Sequence, residues 1–171
     1  MRLRYAVASL ALTICSAICV TAAHAQTALY VQGTAQSNDL ASSSNGYFWG
    51  ATFGFYQDRH NLALLHLGYD FRGSIVKHDN AQFSSGLGGA RLSIVPHVVP
   101  IKIYGEALGG IGVISNGTSG TQFQYQVNGG LEYTLLPHVD WRAVEVAYNG
   151  YTGNTGGNPV GISTGIVFRL F

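Results

Sequence analysis

The sequence predicts an all-β chain, an eight-stranded antiparallel up-and-down transmembrane β-barrel preceded by a cleaved signal peptide. Three observations carry that expectation. Apolar and polar residues alternate with period two along most of the chain, as strands with unlike faces require. The polar parity is built from Gln, Asn, Gly, Ser and Thr, and charged residues make up only 10% of the chain, whereas soluble surfaces alone run at about 25–35%. Beyond residue 25 the chain is apolar and aromatic, yet no stretch approaches the roughly 20 continuous apolar residues of a helical span.

The first element is the export segment. Met1-Arg2-Leu3-Arg4 is a short basic start, Tyr5 to Ala22 is apolar, and Ala23-His24-Ala25 places small residues at −3 and −1. This is the pattern of a secretory signal cut before Gln26, with an uncleaved anchor as the competing reading. Cys15 and Cys19 lie inside the segment, and each follows an Ile (Ile14, Ile18) where lipoprotein processing needs a small residue. Residues 1-25 are therefore assigned to the signal peptide and 26-171 to one outer barrel domain. That domain has no cysteine, hence no disulfide and no thiol chemistry. Taking Arg2 and Arg4 from the nine Lys and Arg leaves seven against eight Asp and Glu, a formal net of −1. No electrostatic case for nucleic acid exists, and the aromatic, charge-poor composition excludes disorder.

The strands are expected at 28–36, 46–57, 61–73, 80–95, 100–114, 121–136, 139–151 and 158–171, each long enough for the ~9–11 residues of a membrane-spanning strand. In 46–57, Trp49, Ala51, Phe53 and Phe55 oppose Gly50, Thr52, Gly54 and Tyr56. In 61–73, Leu65, Leu67, Tyr69 and Phe71 oppose His66, Gly68, Asp70 and Arg72. The segment 80–95 contains "GLGGAR" (86–91), whose glycines relieve crowding or mark curvature in the wall; no helix follows them, so phosphate binding is not read there. In 100–114, Ile101, Ile103, Ala107, Ile111 and Val113 oppose Lys102, Tyr104, Glu106, Gly110 and Gly112. The stretch 121–136 sets Phe123, Tyr125, Val127, Leu131 and Tyr133 against Gln122, Gln124, Gln126, Asn128 and Glu132. In 139–151, Arg142 and Glu145 fall on opposite parities, so Arg142 sits at a rim or is turned inward by a bulge. In the last strand Val160, Ile162, Ile166, Phe168 and Leu170 oppose Gly161, Ser163, Gly165 and Arg169.

The links alternate in expected length. Short ones are "QDRHN" (57–61), "PHVVP" (96–100) and "PHVD" (137–140); longer ones are "SNDLASSSNG" (37–46), "GSIVKHDN" (73–80), "SNGTSG" (115–120) and "NGYTGNTGGNP" (149–159). Membrane barrels pair short turns on one side with longer loops on the other. "NGT" at 116–118 matches a glycosylation acceptor and is read as turn chemistry.

Alternation alone fits two arrangements. A secreted lipocalin-like barrel turns its apolar face inward around a ligand; a membrane barrel turns it out to lipid and lines its lumen with polar groups. The small, neutral polar parity favours the second. So do aromatics near segment ends, among them Tyr30, Tyr47, Trp49, Tyr133, Trp141 and Tyr148, which suit belts at the two bilayer interfaces.

The final stretch, "GISTGIVFRLF", carries a resemblance. Alternating Ile166, Phe168 and Leu170 with a closing aromatic, Phe171, resemble the C-terminal assembly signal of bacterial outer-membrane barrels, although Phe171 shares parity with Arg169 and Val167. Together with the signal peptide, the eight segments and the link asymmetry, the whole of 26–171 resembles the small bacterial outer-membrane β-barrel superfamily, similar to the OmpA transmembrane domain and OmpX. The resemblance implies residence in the bacterial outer membrane. It implies outer-membrane lipid as surroundings, the barrel assembly machinery and periplasmic chaperones as partners, and a lumen ion-pair network suggested to act as a gate. A monomer is expected.

The inward parity carries Asp70, Arg72, Arg91, Lys102, Glu106, Glu132, Glu145 and Arg169. An eight-stranded interior is just wide enough for side chains to fill, and buried charges persist only when paired. Arg91, Lys102, Glu106, Glu132 and Glu145 are thus expected to interlock and block free passage. A structural envelope protein with a plugged lumen is the leading expectation, and a narrow porin-like channel and a lipid-modifying enzyme are the alternatives. For catalysis the sequence offers only His66 near Asp70 and Ser93 near His97; no catalytic residue, metal ligand set or cofactor motif is assigned. Among external links, 37–46 is the best candidate binding loop.

Overall fold

The computed structural model describes residues 25–37, 46–62, 64–78, 81–96, 99–116, 118–152 and 158–170. They form eight strands: β1 (Ala25–Ser37), β2 (Tyr47–Leu62), β3 (Leu65–His78), β4 (Ala81–Ile94), β5 (Ile101–Asn116), β6 (Thr118–Leu136), β7 (Val139–Thr152) and β8 (Val160–Arg169). Each pairs antiparallel with the next, and β8 pairs with β1, so the sheet closes and no edge remains. The expected export segment 1–24 lies outside the described residues, and β1 pairing begins at Ala25 opposite Arg59.

Three expected links are strand instead. "QDRHN" is the end of β2, leaving 63–64 between β2 and β3. Its polarity is answered sideways: Gln57 donates to Thr27 Oγ1 at 3.2 Å and accepts from Tyr69, while Asp58 Oδ2 accepts from Ser93 at 3.0 Å. It contains no Gly or Pro to force a turn. Most of "GSIVKHDN" is the end of β3: Ile75 points out and Val76 is buried inside, leaving 79–80 as the link. "SNGTSG" is strand on both sides of residue 117, with Asn116 paired to Thr118 and Ser115 to Ser119. Among the described links the turn Pro137-His138 is the strained one, because His138 sits at φ 72°, a left-handed conformation that costs a non-glycine residue energy.

The faces fall as the alternation requires. Outward stand Leu29, Trp49 (67% exposed), Phe53, Leu67, Ile103, Ile111, Val127, Val146, Ile162 and Phe168. Inward and buried stand Gln32, Asp70, Arg72, Arg91, Gln124, Asn128, Glu132 and Glu145. An exterior this apolar around an interior this polar inverts a soluble protein, and it is the division a lipid surrounding demands. Tyr30 is a correction: expected in an aromatic belt, it is buried in the lumen with Ala28, Tyr56 and Val167. Interior rings are accommodated by glycine opposite them. A Cβ on Gly54 would meet the Tyr30 ring at 2.6–2.7 Å, and one on Gly130 would meet Tyr104 at 2.4–2.8 Å.

Candidate functional site: the lumen charge cluster

One residue of irregularity assembles the centre of the lumen. Leu131 pairs with Val144, but Glu132 pairs with Arg142, so Ala143 is an extra residue in β7. This bulge shifts the parity and turns both Arg142 and Glu145 inward, three positions apart. Arg142 is fully buried, which decides between the rim and the lumen for that residue.

Around it, β2 supplies Asp58, β3 Asp70 and Arg72, β4 Arg91, β5 Lys102 and Glu106, β6 Glu132, and β7 Arg142 and Glu145. Arg72 reaches three carboxylates: Asp70 at 3.0 Å, Glu145 at 2.9 Å, and Glu106. Arg91 does the same with Glu106, with Glu132 at 3.1 Å and with Asp58 at 3.3 Å. Arg142 joins Glu132 at 2.7 Å to Glu145 at 3.1 Å. Lys102 lies at the margin, 3.7 Å from Glu132 and 3.8 Å from Asp58, and donates to Gln26 Oε1 at 3.1 Å. Four cations thus meet five carboxylates, a formal net of −1, and each arginine is bridged by acids that it shares with another.

Tyrosines complete the interlock. The Arg91 guanidinium lies 3.9 Å from the Tyr56 ring centroid and 4.0 Å from that of Tyr104; Arg142 lies 4.1 Å from Tyr30 and 4.7 Å from Tyr104. Rings and guanidiniums therefore alternate in the order Tyr30, Arg142, Tyr104, Arg91, Tyr56. The ring hydroxyls donate to the same acids: Tyr30 to Asp70 at 2.9 Å, Tyr56 to Glu132 at 3.1 Å and Tyr104 to Glu145 at 2.7 Å. Asn128 donates to Glu106 at 2.9 Å. Charges that would be costly alone are held by opposite charges and hydrogen bonds together.

Of the residues expected in the network, Asp70, Arg72, Arg91, Lys102, Glu106, Glu132 and Glu145 are brought together. Arg169 is not: its side chain is 23% exposed and pairs with Asp140 at 3.1 Å, in a separate bridge from β8 to β7. Asp58 was missed because its segment reads as a turn; its place opposite Gly68 in the register follows once β2 is extended to Leu62. Phe168 and Leu170 are exposed on the outer face, half-buried Ile166 shares their parity opposite outward Val31 and Trp141, and the β8 end is tied on both sides, Arg169 N donating to His138 O and Leu170 N to Thr27 O, both at 2.8 Å. Phe171 and His97 lie outside the described residues, as does most of loop 37–46. His66 is buried opposite Ser93 in the register, but Ser93 donates to Asp58, and Asp70 is engaged by Tyr30 and Arg72. Ser93 and Asp70 thus already have these partners, and the expected Ser93–His97 pairing falls on a residue outside the described ones.

No protein-family model matches the chain, and no curated protein matches it either. Solved structures do. Neisserial surface protein A is similar at a TM-score of 0.56 and 16% identity, over 85% of this chain and 97% of that one. Ail, the attachment invasion locus protein of Yersinia pestis, is similar at 0.51 and 12%, over 85% and 97%. The same protein in complex with the heparin analogue sucrose octasulfate gives 0.50 and 10%, over 85% and 97%. The closed eight-stranded sheet, the apolar exterior and these likenesses agree: the chain has the fold of the small bacterial outer-membrane β-barrels.

Proposed function

We propose that this chain is a structural, monomeric integral protein of the outer membrane whose lumen is shut by the charge cluster. The observation that carries the reading is the shared bridging: Arg72, Arg91 and Arg142 hold five carboxylates between them, with three tyrosines filling the remaining width. A hydrated ion would have to displace several such contacts at once, and each lost partner leaves a buried charge uncompensated. Passage to the membrane through the barrel assembly machinery and periplasmic chaperones belongs to this reading, as does removal of 1–25. The outward row Ile166, Phe168 and Leu170 supports the assembly role of the last strand.

Planar-bilayer recording of the full chain tests the plug. The expected result is no channel activity under conditions where the folded barrel shows heat-modifiable gel mobility. Steady conductance steps from the unmodified protein would replace the plug with the narrow-channel reading.

A further inference from the structure

We propose that the lumen contains a built site for resident water, enclosed between the charge cluster and a second, apolar seal. A polar cavity of about 20 Å³ lies there, touching Arg72 and Glu145 on one side and Phe83 on the other. Four hydroxyls form a continuous hydrogen-bonded arc along its wall: Ser74 to Thr52 at 2.9 Å, Thr52 to Thr34 at 2.9 Å, and Thr34 to Ser163 at 3.0 Å. Four hydroxyls carry four protons, and three bonds within the arc use three, so one donor and several lone pairs are left over. The facing wall is made of carboxamides. Gln124 donates to Asn149 Oδ1 at 2.9 Å, and Asn149 donates to Pro159 O at 3.2 Å. The Gln124 side chain is buried, and its own oxygen has no protein hydrogen bond among the described residues.

The chemistry of this wall selects the occupant. It offers donors and acceptors together. Its two formal charges, Arg72 and Glu145, already pair at 2.9 Å, so neither a cation nor an anion finds an unanswered partner. A water needs about 10–15 Å³ of such space and two to four polar partners; the cavity meets both requirements for about one water and admits no larger solute. Towards the barrel end that carries links 38–46 and 79–80, the inward residues include Phe48, Val76 and Phe83, all buried, with the Tyr151 ring edge-on to Phe83 at 5.6 Å and Gln36 the polar residue opposite Phe48. An apolar constriction gives passing water nothing to bind and closes by staying dry. The lumen is therefore sealed twice, by ion pairs on one side of the site and by packed rings on the other. The proposal rests on the closed lumen argued above.

Water-to-amide nuclear Overhauser effects on the isotope-labelled full chain in micelles test it. A long-lived water should give cross-peaks to the amides around Thr52, Ser74 and Gln124. Thr52→Val and Gln124→Met should each abolish or strongly weaken them, and Thr52→Ser should retain them. Phe83→Ala should speed exchange of that water at least tenfold while heat-modifiable mobility is kept. No long-lived water in the unmodified protein, or signals indifferent to Thr52→Val and Gln124→Met, would overturn the site; unchanged exchange in Phe83→Ala would overturn the second seal. Rubidium or bromide bound in the cavity of soaked crystals would also overturn it, by showing an ion site. Conductance by a protein that still shows the water signals would sink the plug and leave the water site standing.

Discussion

Removing a cation from the lumen should cost more than removing an acid, because the cluster already carries one carboxylate too many. Arg142→Met leaves three cations against five carboxylates, a formal net of −2, from the present −1. It strips Glu132 of its 2.7 Å bridge and Glu145 of its 3.1 Å bridge, and empties the stack between Tyr30 and Tyr104. Stranding buried partners costs about 3–5 kcal/mol, and two stacked cation–ring contacts add about 0.5–1 kcal/mol each; a total of about 4–7 kcal/mol is expected. Glu132→Gln keeps the shape and leaves four cations against four carboxylates, a formal net of zero. Its loss is confined to weakened charge-assisted hydrogen bonds, about 1.5–3 kcal/mol. Urea titration in phospholipid vesicles, read by the mobility shift between folded and unfolded protein on unheated gels, measures both. The double variant should cost less than the sum of the singles, since each removes the other's partner. If Arg142→Met proves no more destabilising than Glu132→Gln, the electrostatic account of the cluster fails, and the stacked rings alone would have to hold the lumen.

Three further outcomes follow from local geometry. Gly130→Ala places a methyl 2.4 Å from the Tyr104 hydroxyl and should cost about 1–3 kcal/mol in the same titration, whereas Gly86→Ala, whose methyl meets nothing within 4 Å on the outward face, should be neutral or stabilise by up to about 1 kcal/mol. Arg169→Gln breaks a partly exposed bridge outside the cluster. Because the Asp140 carboxylate it leaves behind is buried, the change should cost about 1–3 kcal/mol, less than Arg142→Met, and leave the lumen closed in bilayer recordings. His138→Val puts a β-branched side chain at φ 72° and should cost about 1–2 kcal/mol; His138→Gly should not, and comparison of the two midpoints separates backbone strain from loss of the imidazole.

What sequence reading reached and what it missed have one physical cause. Parity is a strong signal because one face meets lipid and the other meets a crowded polar axis, so a misassigned residue would carry its side chain into the wrong medium. That is why Asp70, Arg72, Arg91, Lys102, Glu106, Glu132 and Glu145 were legible as one inward set from spacing alone. Parity also fails wherever the ladder is irregular, and the cluster is built on its main irregularity. Arg142 enters the lumen only because Ala143 is inserted in β7, and nothing in "DWRAVEV" marks the bulge except two charges on conflicting parities. That conflict was the usable signal, since an arginine facing lipid near mid-strand would be far costlier than one extra residue in a strand.

Composition misled in the opposite direction. Ser, Asn, Gly and Asp are read as loop formers, yet inside a narrow barrel the same small polar residues are what a strand must present to leave room for rings and guanidiniums. Ser74 and Asp58, both assigned to links, are inward strand residues that hold the hydroxyl arc and Arg91 respectively. Tyr30 was misplaced for the complementary reason. Its weight as an aromatic suggested a membrane interface, but its parity matches Ala28 and Gln32, both buried inside, and Gly54 opposite it leaves the space its ring needs. An aromatic facing a glycine across an inward register position is therefore a sign of lumen packing, and Tyr104 opposite Gly130 repeats it beside the same arginines. Tyr56 stands opposite Ala28 and Asp70 instead, so the glycine sign marks two of the three stacked tyrosines, and the third is marked by its inward parity alone.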